Sequence, residues 1–181
     1  MTETTRTIMK TALAQQKIAD YFNKYIELID DVDIVSGLEK NLAEIKAFFD
    51  LLVESQGDYR YQDNKWSIKE VLMHIIDTER IFCYRALSIA RNNKTDLPGF
   101  DHDEFVKYAN ANNRTFCDIA NEFETVRRST ISLFSSFSDE ALDKAGKANG
   151  KDMTVLALGY LTIGHTIHHI NVLKEKYLNH E

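Results

Sequence analysis

The sequence contains one proline, seven glycines and two cysteines among 181 residues. So few chain breakers are typical of long helices rather than of many short strands. Cys83 and Cys117 lack the spacing of a disulfide framework or a zinc motif, so we predict reduced thiols buried in helices. There is no apolar run of the roughly 20 residues that a membrane span needs. Because Met1–Arg6 also lacks the basic and apolar regions of a signal peptide, we expect a cytoplasmic protein without a membrane partner.

A surplus of basic residues is also missing. The net charge is −6, and the lysines and arginines are scattered among acidic residues. Direct binding to nucleic acid requires a basic patch, so we expect a small-molecule substrate rather than a nucleic-acid partner. The length suits one domain with a sizeable core. We predict a polar N-terminal segment at residues 1–15 and a single domain over residues 16–181.

Apolar residues recur every three to four positions in four long segments, which predicts four amphipathic helices. These helices cover about residues 37–54, 67–92, 115–137 and 152–177. Ser67 and Glu70 form a capping box, in which each side chain accepts a hydrogen bond from a backbone N–H at the helix start. Arg127 falls on the solvated outward face of the third helix, and either Asp152 or Thr154 can cap the fourth.

Shorter elements connect the long helices. We predict a short helix over Ile18–Ile29, another around Phe105 and Tyr108, a helix-start turn at residues 138–142, and a loop at residues 145–150. No strand pattern is evident, so the predicted fold class is all-α: a four-helix bundle with short extra helices in the N-terminal region and in the connection between the second and third helices. Loop lengths leave the topology open, and that connection is long enough for a crossover.

The most distinctive stretch is Gly164–Ile170, where three of the six histidines fall inside an apolar helical run. His165 can act together with His169, four residues on, or with His168, three residues on, and spacing alone does not choose. His74, on the inward face of the second helix, can add a third ring. Three neutral imidazoles with an open fourth position are the layout of a catalytic Zn, Ni, Fe or Cu site. The alternative is that these are ordinary core or surface histidines.

Several neighbouring residues admit two interpretations. His168 either contacts a metal ligand without binding the metal itself, or lies at the surface. Asp77 either orients a ligand ring by a hydrogen bond or pairs with Arg80. Arg85, within the inward face of its helix, is predicted to be a buried ion-pair partner rather than a substrate clamp. No residue is assigned a catalytic role on spacing. Two further histidines are predicted to be exposed, in a loop and in the C-terminal tail: His102 and His180.

Several of these motifs resemble a known family. Trp66–Arg80 resembles the second-helix motif of the DinB/YfiT-like superfamily, and Phe82–Ala86 and Leu97–Phe100 continue the likeness. His165–His169 is similar to the fourth-helix motif of that family. The resemblance extends over roughly residues 18–178, and the two histidine motifs are fairly specific when they occur together in this order.

The resemblance implies a four-helix bundle that binds a divalent metal, Zn or Ni by expectation, near one end through His74, His165 and His169. Characterised relatives include S-transferases that use bacillithiol and a mycothiol-dependent maleylpyruvate isomerase. By this likeness we expect a thiol-dependent S-transferase that activates a low-molecular-weight thiol as a metal-bound thiolate. One alternative is a hydrolase that uses metal-bound water. Another is a non-enzymatic metal-binding or stress-related interaction protein, dimerising through an exposed helix face.

Overall fold

Four long helices form the framework of the computed structural model, which describes residues 10–15 and 19–178. They are α2 (Ile34–Phe49), α3 (Ile68–Ala90), α5 (Phe116–Ser135) and α7 (Val155–Leu173). Shorter elements are α1 (Asn23–Ile26), α4 (His102–Tyr108), α6 (Asp139–Leu142), 3₁₀ turns at Lys10–Gln15, Asp20–Phe22, Glu54–Gln56 and Ala111–Asn113, and a π-helical turn at Lys174–Leu178. The predicted four-helix bundle with short extra helices is confirmed. Ile18, the predicted start of the first short helix, and His180, predicted to be exposed, lie outside the described residues.

Each long helix begins at a side chain that accepts a hydrogen bond from its first turn. Ser67 and Glu70 form the predicted capping box at the start of α3, and Thr115 caps α5. Thr154 rather than Asp152 accepts the backbone N–H of the first turn of α7. Asp33 caps α2 through the backbone N–H of Ser36, so α2 starts three residues before the predicted position. Such caps satisfy backbone donors that have no partner within the helix.

The order of the helices around the bundle differs from their order along the chain. Both α2 and α3 pack against α5 and against α7. Successive helices α2 and α3 therefore occupy opposite corners, and so do α5 and α7. The connection over residues 91–115, which the sequence left free to cross the bundle, instead joins the neighbours α3 and α5. The crossing connections are those over residues 50–67 and 136–154.

Helix α7 lies deepest in the protein. Every residue from Val155 to Thr166 is buried, and exposure begins only at Ile167. A helix that is apolar on all sides packs against neighbours on all sides, and α7 contacts α1, α2 and α3. Within residues 10–15 and 19–178, no helix combines the length and apolarity that a membrane crossing requires. The histidine stretch thus lies where the most buried helix approaches the surface.

A two-stranded hairpin contradicts the expectation that the chain has no strands. β1 (Ala145–Ala148) pairs antiparallel with β2 (Lys151–Thr154), where a loop was predicted. Asn149 and Gly150 connect the strands with φ angles of 51° and 69°. Two-residue hairpin turns favour this left-handed conformation, and Asn-Gly is the dipeptide best suited to it. The backbone of Leu97 bonds Lys147 and Asn149, which fixes the hairpin beside the connection that follows α3.

Candidate metal centre

Three histidine rings meet between α3 and α7. The Nε2 atom of His165 lies 3.1 Å from Nε2 of His74 and 3.1 Å from Nε2 of His169. One ligand nitrogen from each of the three rings lies within 4.8 Å of the other two. We call His74, His165 and His169 the three-histidine cluster. The structure therefore brings together the three residues that the family resemblance singled out, while their role as metal ligands remains a prediction.

Local features of both helices fix these rings. The capping box at Ser67 sets the start of α3, two turns before His74. On α7, the four-residue spacing of His165 and His169 places both rings on one side of the helix. Gly164 allows α1 to approach α7, because a Cβ at that position would overlap the carbonyl oxygen of Tyr25. The close approach brings the Tyr25 ring to 5.8 Å from the ring of His165, measured between centroids.

The donor set fits a divalent transition metal. Burial, followed by the neighbouring histidines, lowers the pKa of His74 to about 2 and holds that of His165 well below 6.5. Burial likewise lowers the pKa of His169 to about 3. The rings are therefore neutral, as metal ligation requires. Two nitrogens bound at about 2.0–2.1 Å to a tetrahedral ion lie about 3.3 Å apart, close to the separations found here.

Hydrogen bonding alone does not satisfy the cluster. Nε2 of His165 faces two other Nε2 atoms. A neutral imidazole nitrogen offers either one N–H or one lone pair, so it cannot form two good hydrogen bonds at once. At least one of the 3.1 Å contacts is consequently unsatisfied without a further group. A single cation in contact with all three lone pairs removes this conflict.

Aromatic side chains cover the cluster. The centroid of the Trp66 ring lies 4.8 Å from that of His74, and the centroid of Phe82 lies 6.0 Å from that of His165. The Trp66 indole N–H donates to Asp103 at 3.0 Å, which ties the α3 start to α4. His102, exposed as predicted, stacks edge-on against His74 at 5.1 Å between centroids. The sequence did not predict that His102 lies beside the cluster, although the Leu97–Phe100 motif shortly before it belongs to the family resemblance.

The two candidate supporting residues lie differently. The ring of His168 is partly buried and contacts His169 and Tyr25 edge-on, at 5.1 and 5.4 Å between centroids. Asp77 forms an ion pair with Arg80 at 3.5 Å, the alternative that the sequence left open. Among the described residues, neither Asp77 nor His168 hydrogen-bonds a ring of the three-histidine cluster. The structure thus places His168 beside the cluster and turns the carboxylate of Asp77 to Arg80.

A cavity of about 160 Å³ adjoins the cluster and is lined by His165, His102, Thr78 and Arg85. Arg85 is buried, with 6% of its surface exposed. The sequence predicted an ion pair for this residue, which is wrong: among the described residues its side chain has one hydrogen bond, from Nη2 to the carbonyl oxygen of Pro98 at 2.9 Å. Lys151, from the hairpin, lines the same cavity.

A buried polar network supports the helices that carry the cluster. Arg127 of α5, predicted to face solvent, is fully buried and donates two hydrogen bonds to Glu79 of α3, at 2.8 and 2.9 Å. Arg127 also donates to Asn41 of α2 at 2.6 Å and to Thr166 of α7 at 3.2 Å. All four long helices contribute to this network. Since Thr166 follows His165 directly, the network fixes α7 at the position of the cluster.

Comparison with known families agrees with the resemblance drawn from the motifs. The profile of the DinB superfamily matches residues 38–173 of the chain. No functionally curated protein matches it.

Solved structures share the fold at low sequence identity. One is YfiT from Bacillus subtilis, described as a probable metal-dependent hydrolase with an unusual four-helix bundle topology; its TM-score is 0.68 at 16% identity, covering 88% of this chain and 87% of YfiT. An uncharacterized protein from Clostridium difficile 630 has a TM-score of 0.63 at 14% identity, covering 82% of this chain and 96% of its own. A protein from Streptococcus pneumoniae has a TM-score of 0.62 at 12% identity, and the match covers 86% of this chain and 98% of that protein.

Proposed function

The chain belongs to the DinB superfamily, and on this basis we propose that it is an enzyme dependent on a divalent metal held by His74, His165 and His169. The observation that carries the proposal is the convergence of the three Nε2 atoms, with two separations of 3.1 Å between neutral rings, two of them buried and that of His169 half-buried. Three protein ligands leave a coordination position free for a reactant, as in catalytic rather than structural sites. Imidazole ligands suit Zn, Ni, Fe and Cu, and we propose Zn or Ni as the metal.

The surrounding residues suit a site that activates a nucleophile. When bound, the divalent ion supplies the positive charge that lowers the pKa of a thiol or a water molecule at the free position. Trp66 and Phe82 pack against His74 and His165, which reduces the contact of these two rings with water and strengthens electrostatic interactions at the site. The cavity next to His165 provides space for a small substrate.

We propose thiol transfer as the reaction. The thiol loses its proton to solvent, its sulfur forms a bond to an electrophilic carbon of the substrate, and the leaving group departs with the electron pair of the broken bond. A thiol with a pKa of about 8.5 needs only a modest shift to ionise at neutral pH, so no general base is needed. In keeping with this, no carboxylate within the described ranges hydrogen-bonds the three-histidine cluster, and Asp77 is engaged by Arg80.

Hydrolysis is the second candidate, favoured by the likeness to YfiT and its description as a probable metal-dependent hydrolase. Water would replace the thiol as the nucleophile, and an ester or amide would be cleaved. A small-molecule substrate suits both reactions, and the net charge of −6 does not favour a nucleic-acid partner. Cytoplasmic location remains a prediction.

Elemental analysis of the purified protein tests the metal site first. Wild type should carry about one equivalent of Zn or Ni, and the single variants His74→Ala, His165→Ala and His169→Ala should each lose it. His168→Ala is the matched control, because its ring lies on the same helix and contacts His169 without joining the cluster. A wild type that stays empty after addition of Zn and Ni would contradict the proposal and leave the non-enzymatic binding protein as the better interpretation.

Activity assays then separate the two reactions. The metal-loaded protein is incubated with 1-chloro-2,4-dinitrobenzene and either cysteine, glutathione or bacillithiol, and in parallel with p-nitrophenyl acetate alone. Thiol transfer predicts conjugate formation that requires both thiol and metal, whereas hydrolysis predicts nitrophenol release without any thiol. His74→Ala should abolish whichever activity is present. Conjugation that persists unchanged in this variant would show that the metal centre is not the site of reaction.

A further inference from the structure

The cavity beside the three-histidine cluster is positively charged, although the protein has a net charge of −6. Arg85 and Lys151 both line it, and no aspartate or glutamate does so among the described residues. Lys151 places its ammonium group over the ring of Tyr21, with Nζ 3.9 Å from the centroid. Two cations without a carboxylate in one small cavity indicate that a negative group from outside the chain is accommodated there.

A comparison within the protein shows how unusual Arg85 is. Arg127, the other deeply buried arginine, has its charge balanced by a two-point ion pair with Glu79. Arg85 is nearly as buried, but within the part of the chain that the structure describes it donates only to the carbonyl oxygen of Pro98. Burying a cation without a counter-charge is costly, so buried arginines normally face a carboxylate. The remaining N–H groups of Arg85 are available to a ligand in the cavity.

Thr78 supplies a second polar group without a partner. Its hydroxyl is buried and has no hydrogen bond to any described residue, and Thr78 lines the same cavity. Other helical threonines bond the carbonyl oxygen four residues earlier, as Thr125, Thr162 and Thr166 do here. A buried hydroxyl with no partner is unfavourable, because it has lost its hydrogen bonds to water. A ligand oxygen beside Thr78 would remove that cost.

We propose that this cavity binds the carboxylate of a small organic substrate, with Arg85 as the anion-binding residue and the Thr78 hydroxyl as a second donor. The inference rests on the proposed function, because it places the reacting end of the substrate at the three-histidine cluster. His74, Thr78 and Arg85 lie within about 40° of one another on the α3 helical wheel, so one helix face carries the metal ligand and the anion-binding group.

The planar fork of a guanidinium matches the two oxygens of a carboxylate. The cavity of about 160 Å³ gives room for a small organic carboxylate. We infer that Arg85 sets the substrate class and that the three-histidine cluster sets the reaction.

Binding of butyrate and of its neutral isostere butyramide tests the inference without any assay of turnover. The full chain, labelled with ¹⁵N, is titrated at pH 7 with each compound, once without metal and once with one equivalent of Zn. The backbone amide signals of Gly99 and Asn149, which line the cavity, report binding. We expect both signals to shift with butyrate in the metal-free chain, with butyramide binding at least about tenfold more weakly.

Two arginine variants assign the site. Arg85→Gln should weaken butyrate at least about tenfold, and Arg85→Lys should keep part of the affinity because it keeps the charge. Arg80→Gln is the matched control on the same helix, since Arg80 is half-exposed and pairs with Asp77 and Glu122; it should bind butyrate like wild type.

Equal affinities for butyrate and butyramide in wild type would overturn the inference, and that comparison needs no variant to fold. Unchanged butyrate binding in Arg85→Gln would also overturn it. If wild type binds one equivalent of Zn but not butyrate, the inference fails while the proposed function stands. If the metal-free chain binds butyrate through Arg85 but takes up no metal, the anion site stands and the proposed function fails.

Discussion

The buried pair of Arg127 and Glu79 allows a sharp test of what holds the bundle together. Arg127→Met removes the cation but leaves the Glu79 carboxylate buried, with the hydroxyl of Thr130 as its remaining donor at 2.7 Å. Breaking a buried ion pair by removing one partner costs about 3–5 kcal/mol, because the other charge stays behind uncompensated. A domain of this kind is stable by about 5–15 kcal/mol, so the loss is a large share of the total.

Arg128→Met is the matched control. Arg128 is the next residue along α5, but 65% of its side chain is exposed and it pairs with Glu124 of its own helix. Exposed pairs of this type contribute about 0–1 kcal/mol. Urea unfolding followed by circular dichroism should therefore separate two arginine variants of equal chemistry by about 3 kcal/mol.

The double variant Arg127→Met/Glu79→Met isolates the charge effect. It removes both buried charges, so it should lose less stability than Arg127→Met alone. Unfolding of Arg127→Met and Arg128→Met at the same urea concentration would refute the reasoning. So would a double variant whose loss of stability equals the sum of the losses in Arg127→Met and in Glu79→Met.

Three further predictions follow from other features. In metal-free protein the histidines of the unfolded chain bind protons below pH about 6.5, while burial keeps the folded rings neutral, so the free energy of unfolding falls as the pH drops below about 6.5. At pH 5, His74 alone should lower the free energy of unfolding by about 2 kcal/mol. Urea unfolding measures this loss, and a free energy that does not change with pH would contradict the His74 pKa of about 2. Gly164→Ala should lower the free energy of unfolding by about 1–3 kcal/mol, because its Cβ meets the Tyr25 backbone; an unchanged melting temperature in calorimetry would contradict this. Ellman's reagent should modify only exposed Cys117 in native protein, since burial raises the pKa of Cys83 to about 11; two fast-reacting thiols would refute it.

What the sequence could predict was local. The Ser67 capping box and the four-residue spacing of His165 and His169 depend on residues within one or two turns, and both appear in the structure as expected. The strands on either side of the Asn149–Gly150 turn were missed, because β1 and β2 are too short for a clear alternating pattern. Cys117 was predicted to be buried but is exposed, because apolar spacing alone does not show where the buried face of a helix ends.

What could not be predicted depends on partners far away in the chain. The periodicity of α5 placed Arg127 on the outward face, and its burial follows from Glu79, 48 residues earlier, and Asn41, 86 residues earlier. Arg85 was correctly expected to be buried, but an inward arginine ordinarily implies an acidic partner, and the cavity that it lines requires the hairpin to be in place. Helix periodicity likewise does not predict that α2 and α3 lie at opposite corners of the bundle.

That arrangement has a consequence for when the metal centre can first exist. Helices α2 and α3, which follow one another in the chain, do not pack as a pair, and His74 meets His165 although the two residues are 91 positions apart in the chain. A contact between residues so far apart requires a long loop to close before the contact can stabilise the fold. During synthesis the first part of the chain emerges with one ligand and no partners for it. The proposed ion would therefore be acquired only after α7 has docked, so uptake of metal would report completed folding.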